Sequence, residues 1–351
     1  MAYTDIDKPS DYFETVLYTG TGSTQSITSL DFQPDWVWGK TRNDTQDHQI
    51  IDSVRGATKL LATNGTAAEF TDTNNLTSFN SNGFTVGSSG GINGSSDTLV
   101  TWCWKAGTSV SGNTGGSGTA KSYSGSVNTD AGFSITSFTG NGTIGHTIPH
   151  SLNAIPSMFI IKKYGGSGDS TARDWDVYHQ SLGNTKVIFL NTTAANSTSS
   201  EYWNDTTPTS SVITLGANDQ INGNNNTYIC YAFSEKKGYS KFGSYVGNGN
   251  ADGTFVYTGQ KSAFIMVKST GGESNWQMSD NKRNTFNEVN KHLRANSSGA
   301  EFTNYPIDFL SNGFKLRATD TDTNGSGTTY IFMAFAENPF TTSTGVPATA
   351  R

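Results

Sequence analysis

Tyr18-Thr-Gly-Thr-Gly-Ser23, followed by Phe32-Gln-Pro-Asp-Trp-Val-Trp-Gly-Lys40, decides the fold. An apolar run lies on each side of a glycine-rich corner, so the stretch predicts strand, turn, strand. The same pattern is written twice more. Phe138-Thr-Gly-Asn-Gly-Thr143 leads to Ile155-Pro-Ser-Met-Phe-Ile-Ile-Lys162, and Tyr245-Val-Gly-Asn-Gly-Asn250 leads to Ser262-Ala-Phe-Ile-Met-Val-Lys268. Self-similarity at this spacing predicts a threefold internal repeat. Val37 lies between Trp36 and Trp38, so that strand is apolar on both faces, as a central strand is.

Each repeat closes on a second shared pattern. Asn93-Gly94 precedes Leu99-Val-Thr-Trp-Cys-Trp104, Asn222-Gly223 precedes Tyr228-Ile-Cys-Tyr-Ala-Phe233, and Asn324-Gly325 precedes Tyr330-Ile-Phe-Met-Ala-Phe335. Asn-Gly between apolar runs predicts a hairpin turn, because both residues tolerate positive φ. Side chains two apart share one face of a strand. Val100, Trp102 and Trp104 therefore point one way, matched by Ile229, Tyr231, Phe233 and by Ile331, Met333, Phe335. That face is the expected core, with Leu99 and Cys103 on the other side. The repeats also share a middle segment: His48–Gly56, Asp174–Gly183 and Asn275–Asn284. Each runs on to a short strand. Residues 67–75 fit either one helical turn or an exposed loop.

The expected fold class is all-β: three tandem β-sandwich, jelly-roll-like repeats joined by short linkers. The boundaries are an N-terminal arm at 1–15, repeats at 16–107, 133–238 and 239–340, and a tail at 341–351. Residues 108–132, rich in Gly, Ser and Thr, are the expected linker, with 121–127 as an added strand. The spacer between the second and third repeats is far shorter, so that junction is expected to be the stiffer one. Tyr3, Ile6, Tyr12 and Phe13 would pin the arm onto a neighbour, within the chain or in another subunit.

Composition narrows the function. Only 15% of the residues are charged, so Ser, Thr, Asn and Gln must cover the surface. Aromatics reach 12% and are spread along the chain, which excludes disorder. The net charge is −6 with no basic cluster, so nucleic acid is not an expected partner. Residues 1–13 carry acids and no apolar core, unlike a secretory signal. No run of about 18 apolar residues is present, so no membrane insertion is expected. Cys103 and Cys230 occupy non-equivalent places in two repeats and predict buried thiols rather than a disulfide scaffold.

Four constellations could carry chemistry. His48 and Asp52 have the types of a hydrolytic pair, but no nucleophile accompanies them and the other repeats do not keep them. His146, His150 and His179 have no metal-ligand spacing. Asp320-Thr-Asp-Thr-Asn-Gly325 resembles half a calcium loop, but Ile331 stands where the bidentate Glu belongs. Paired carboxylates for glycoside cleavage would need two acids facing a cleft, and acids are few on the expected strands. No glycine-rich loop runs into Lys-Ser/Thr, so there is no phosphate cradle. The expectation is no catalytic residue, no cofactor and no metal site, with the Asp320–Asn324 loop left open as a weak cation site.

The motifs Tyr18–Ser23, Phe32–Lys40, Asp52–Gly56, Phe79–Phe84 and Trp102–Gly107, with Tyr239–Tyr245 and Ala334–Phe340, closely resemble an uncharacterised repeat family in structural proteins of tailed bacteriophages. The resemblance extends over about residues 1–340. It implies a non-enzymatic virion surface protein assembled in the host cytoplasm, fibre-like or decorating. It further implies contacts with other virion proteins, a homotrimer and a host surface glycan as ligand. Tail-appendage host attachment is the expected role, with capsid decoration as the close rival and a polysaccharide-degrading enzyme as the second alternative.

Overall fold

The strand Trp36–Thr41 is buried along its whole length, and its two faces serve two different cores. In the computed structural model, which describes residues 3–166 and 173–349, Trp36 and Trp38 join one apolar cluster and Val37 another. The same split recurs in Thr98–Trp104: Val100, Trp102 and Trp104 face the first cluster, Leu99 and Cys103 the second. The alternation of a pleated strand produces the split, since neighbouring side chains leave on opposite sides.

The protein is all-β, and every named strand pair is antiparallel. Three sheets share one strand order. The first runs Phe13–Thr19, Thr98–Trp104, Trp36–Thr41, Gln49–Asp52, Lys59–Ala62, Phe70–Thr71. The second contains Phe133–Thr139, Asn226–Phe233, Met158–Gly166, Trp175–His179, Lys186–Phe189, Ser197–Thr198 in the matching places. The third contains Ser240–Val246, Thr329–Pro339, Gln260–Ser269, Gln277–Asp280, Val289–Arg294, Phe302–Leu310. Register fixes the equivalences: Trp36 pairs with Trp104, Met158 with Phe233, and Phe264 with Phe335.

Shorter strands cover the outer face of each sheet. Ile27, Phe84 and Val86 lie over the first, Ile148, Ile213 and Leu215 over the second, and Val256, Phe314 and Leu316 over the third. The inner faces meet one another. Trp104, Phe233 and Phe335, one from each sheet, form a triangle with ring centroids 5.5, 5.9 and 6.5 Å apart. The sandwiches are therefore not strung on linkers. They close around one shared apolar axis, and this accounts for the low apolar fraction: the aromatic residues are concentrated in strands buried on both faces.

Several sequence expectations change here. Residues 108–132 are not a bare linker. Thr108–Asn113 and Ser122–Asn128 pair as a hairpin and extend the second sheet beyond Phe133–Thr139. Ser122–Asn128 is the strand expected at 121–127, and Thr108–Asn113 is the part that composition misplaces, because small polar residues suit a strand whose outer side is solvated. Residues of all three sheets join the common axis. Residues 67–75 hold the two-residue strand Phe70–Thr71 and a turn. The arm is pinned within the chain: Ile6 and Phe13 enter the axis core, Thr4 Oγ1 donates to the Lys237 carbonyl at 2.8 Å, and the first strand already begins at Phe13. Asp7 accepts from Ser343, tying arm to tail. Residues 1–2 of the arm and 350–351 of the tail lie outside the described residues.

The Asn-Gly pairs are not hairpin turns. Gly94 and Gly223 have φ of −57° and −58°, and Asn93 and Asn222 end single helical turns. Their side chains point inward and hold the Gly-x-Gly corner. Asn222 Oδ1 accepts from Asn141 N at 3.1 Å, and its Nδ2 donates to the Thr143 and Gly216 carbonyls at 3.0 and 2.7 Å. Asn93 and Asn324 do the same for Thr21 and Asn248. The corner's first glycine cannot be replaced, because a Cβ on Gly140 would lie 2.5 Å from the Gly223 carbonyl oxygen. The second, Gly142, has φ +71°.

Candidate functional site

The residues with the chemistry of an active site are spent inside the fold. His48 Nδ1 accepts from Trp38 Nε1 at 2.9 Å, while Asp52 is bound by Arg55 and Tyr231. The two do not touch as a hydrolytic pair. His146, His150 and His179 lie apart, each with its own partners: Asn222 and Thr114 for the first, the Thr209 carbonyl and Leu152 N–H for the second, the Phe332 carbonyl and Ser181 N–H for the third. Burial pushes the His179 ring down to about 4 and the His292 ring to about 3. Such rings stay neutral when folded, so the stability they contribute is present above pH 6.5 and is lost as pH falls through these lower values. Both cysteines are free and buried, and burial raises the Cys103 thiol to about 12.

The calcium-like loop is assembled as a turn. Asp320 accepts from Thr323 N–H and Oγ1, both at 2.8 Å, and Asp322 accepts from Gln277 Nε2 at 2.8 Å. Asn324 is buried and turned towards the Gly-x-Gly corner. Among the described residues no group of three His, Cys, Asp or Glu side chains converges as a metal site.

The same equivalent positions are reused at the contacts between sheets. Trp175 Nε1 of the second sheet donates to the Ala62 carbonyl of the first, and Trp276 Nε1 of the third donates to the Phe189 carbonyl of the second, each at 2.9 Å. His48 takes the matching place in the first sheet. Its ring lies against the Arg294 backbone of the third, although its Nε2 makes no hydrogen bond of good geometry. The contact runs head to tail and closes after three steps, as a cyclic trimer's would. Here one chain supplies all three.

Lys40, Lys162 and Lys268 are also equivalent, and all are fully buried. The Lys162 ammonium donates to the carbonyls of Thr66 and Arg173 at 2.8 and 2.6 Å, and Lys268 to those of Thr193 and Ser274, both at 2.9 Å. Lys40 donates to Thr41 and Asp44 carbonyls at 2.6 and 3.2 Å. Lys162 and Lys268 thereby tie each sheet to the preceding one. In the sequence these lysines stand at the ends of the repeated strand motifs, with no role legible from the motifs themselves. Their recurrence at one place in a strand apolar on both faces was the available signal. Burial pushes each down to about 8. The folded chain then releases these protons before the unfolded chain, whose lysines titrate near 10.5, so stability is expected to rise with pH above about 8. The buried cysteines and tyrosines oppose this from about pH 9, because their ionised forms favour the unfolded chain. A urea midpoint that increases from pH 7.5 to 9 and less steeply in Lys162→Met would agree; a flat profile would contradict the buried ammonium.

Asp176 is fully buried, and neither carboxylate oxygen has a hydrogen-bond partner among the described residues. Burial, reinforced by the charge of Asp174, raises its pKa well above the usual range. The equivalent residues are Gln49, whose Oε1 accepts from Asn75 at 2.7 Å, and Gln277, bound to Asp322. Asp176→Gln is expected to stabilise the protein by about 1 kcal/mol at pH 7, since an unmet polar group costs about 1–3. An unchanged or lower midpoint would show that the site has no room for the sibling side chain.

The exposed feature that stands out is a groove of about 280 Å³ where arm, tail and third sandwich meet. Tyr3, Tyr257 and Phe340 line it and are 62%, 60% and 37% exposed. Tyr257 faces outward because Val256, next to it on Phe255–Tyr257, takes the inward place. Tyr3 is held by its neighbour Thr4, which packs on Gly238, and Phe340 N–H donates to the Gly259 carbonyl at 3.2 Å. Glu235 and Lys241 form a 2.6 Å ion pair on the rim. Four separate segments contribute, so no local motif announced the groove. No helix among the described residues is long and apolar enough to cross a membrane.

No curated protein and no solved structure matches the chain. One family model, described as Domain of unknown function (DUF7483), matches residues 8–339, and the chain belongs to that family.

Proposed function

We propose that the chain is a non-enzymatic structural protein on the surface of a tailed-phage virion, acting in host attachment on a tail appendage. The observation that carries this reading is the closed ring of three like sheets within one chain. A body of that symmetry suits a threefold-symmetric site, and the sequence motifs resemble virion structural proteins. The neutral polar surface and the aromatic groove fit a role in binding other virion proteins and a host glycan. The homotrimer implied by the resemblance would be a trimer of such bodies, because the axis is already filled within one chain.

Capsid decoration is the second reading. It is favoured by the lack, among the described residues, of any long shaft element beside the three sandwiches. A low-resolution map of the assembled particle tests both: density for the subunit on a tail appendage supports attachment, and density on the icosahedral shell transfers the protein to decoration. Release of reducing ends from host polysaccharide, abolished by one Asp or Glu substitution, would replace the binder with an enzyme.

A further inference from the structure

We infer that the groove between arm, tail and third sandwich binds a single hexopyranose ring of a surface polysaccharide. The inference deepens the reading of the chain as a binder and rests on it, but not on which part of the particle carries the chain.

A pyranose has a C–H face that is apolar and a rim of hydroxyls that donate and accept. It needs flat apolar walls with ionic or hydroxyl groups at their edge. Tyr3, Tyr257 and Phe340 supply the walls, and the Glu235–Lys241 pair supplies an acceptor and a donor at the rim. Tyrosine suits this task, because it offers a large rigid surface and a polar tip for few rotatable bonds. The volume of about 280 Å³ lies just below the range of about 300–1,000 Å³ for drug-sized ligands, so it suits one ring rather than a chain.

The backbone that carries the walls is anchored before any ligand arrives. Thr4 is anchored on Lys237, with Gly238 at φ +78° leaving room for its hydroxyl. Gly259, at φ +72°, turns the chain directly after the Tyr257 strand. Asp7 and Ser343 tie the arm to the tail. An anchored backbone lowers the entropy lost on binding, which a small ligand requires. Exposure of three large aromatics around one concavity has no folding benefit of its own, since each would be better buried.

The test is saturation-transfer NMR on the full chain with the methyl glycosides of glucose, galactose, mannose and N-acetylglucosamine at millimolar concentration. Transfer from the aromatic envelope to the ring C–H protons of at least one sugar is expected. It should weaken about tenfold in Tyr257→Ala and in Phe340→Ala, by the loss of one aromatic anchor. The urea midpoints of both variants should be unchanged, because neither side chain is part of a core. No transfer with any of the four sugars overturns the inference, as does transfer that both variants leave intact. Particles that lose the subunit when it carries Tyr257→Ala, with no sugar transfer to the parent chain, would assign the groove to a virion partner instead. Sugar binding that persists with the subunit mapped to the shell would leave this inference standing and remove the attachment role.

Discussion

Replacing Trp104 by alanine is expected to destabilise the protein by about 3–5 kcal/mol, the cost of emptying a large aromatic site in a packed core. Trp104 touches rings from all three sheets: Trp36 at 4.5 Å and Phe13 at 4.8 Å from its own, Phe233 at 6.5 Å from the second, and Phe264 and Phe335 at 6.1 and 5.5 Å from the third. Its indole Nε1 has no hydrogen-bond partner among the described residues, so the loss is one of packing alone. Because the ring belongs to a common axis, the damage is not confined to the first sandwich. Urea unfolding followed by far-UV circular dichroism and by tryptophan fluorescence should keep one coincident transition, with a lower midpoint and an unchanged slope. Two separated transitions, or a cost below about 1 kcal/mol, would show that the sandwiches are independent and the triangle of Trp104, Phe233 and Phe335 merely incidental.

The strands of this axis were legible because their chemistry is local. Trp36-Val-Trp38 announces a strand buried on both sides, and the repeated Trp104, Phe233 and Phe335 announce one apolar face. What a period of two residues cannot say is which partner each face meets. The sequence therefore supported three sandwiches, but not their closure on one another. Asn93, Asn222 and Asn324 were misjudged because Asn-Gly satisfies two geometries. One needs positive φ; the other buries the amide to hold a distant corner, as these do. Within 108–132 the strand expected at 121–127 is present as Ser122–Asn128, and small polar residues hid only its partner Thr108–Asn113. The aromatic groove was hidden by its assembly from residues 3, 257 and 340, which only the tertiary fold brings together. Buried lysines 40, 162 and 268 were visible as a recurrence, yet their partners are backbone carbonyls, which no sequence pattern displays.

Arg283→Ala is expected to cost about 3–5 kcal/mol, because it strips the compensating charge from a carboxylate buried between two sheets. Arg283 Nε donates to Asp280 at 2.6 Å, its Nη2 to the Met278 carbonyl at 3.0 Å, and its Nη1 to Glu301 at 3.3 Å. Trp102 Nε1, from the first sheet, donates to the same Asp280 oxygen at 3.2 Å. The junction between the first and second sheets repeats this arrangement. Arg55 binds Asp52 at 2.6 Å and the Ile50 carbonyl at 3.1 Å, and Tyr231 O–H donates to Asp52 at 2.7 Å. At the remaining junction the register places His179 where Asp52 and Asp280 stand, and Leu182 where the arginines stand. The residue equivalent to Trp102 and Tyr231 there is Met333, which has no donor. At this position a carboxylate stands only where the neighbouring sheet offers it a hydrogen-bond donor, and an imidazole bonded to the Phe332 carbonyl replaces it where none exists. The logic predicts the rescue as well as the damage. Asp280→His combined with Arg283→Leu copies the second sheet's solution and should recover at least half of the loss, by removing the orphaned charge together with its partner. Chemical denaturation of both single variants and the pair, treated as a double-mutant cycle, measures the coupling directly. A pair that is as unstable as the sum of its parts would mean that the cluster's geometry, not its charge balance, holds the first and third sheets together.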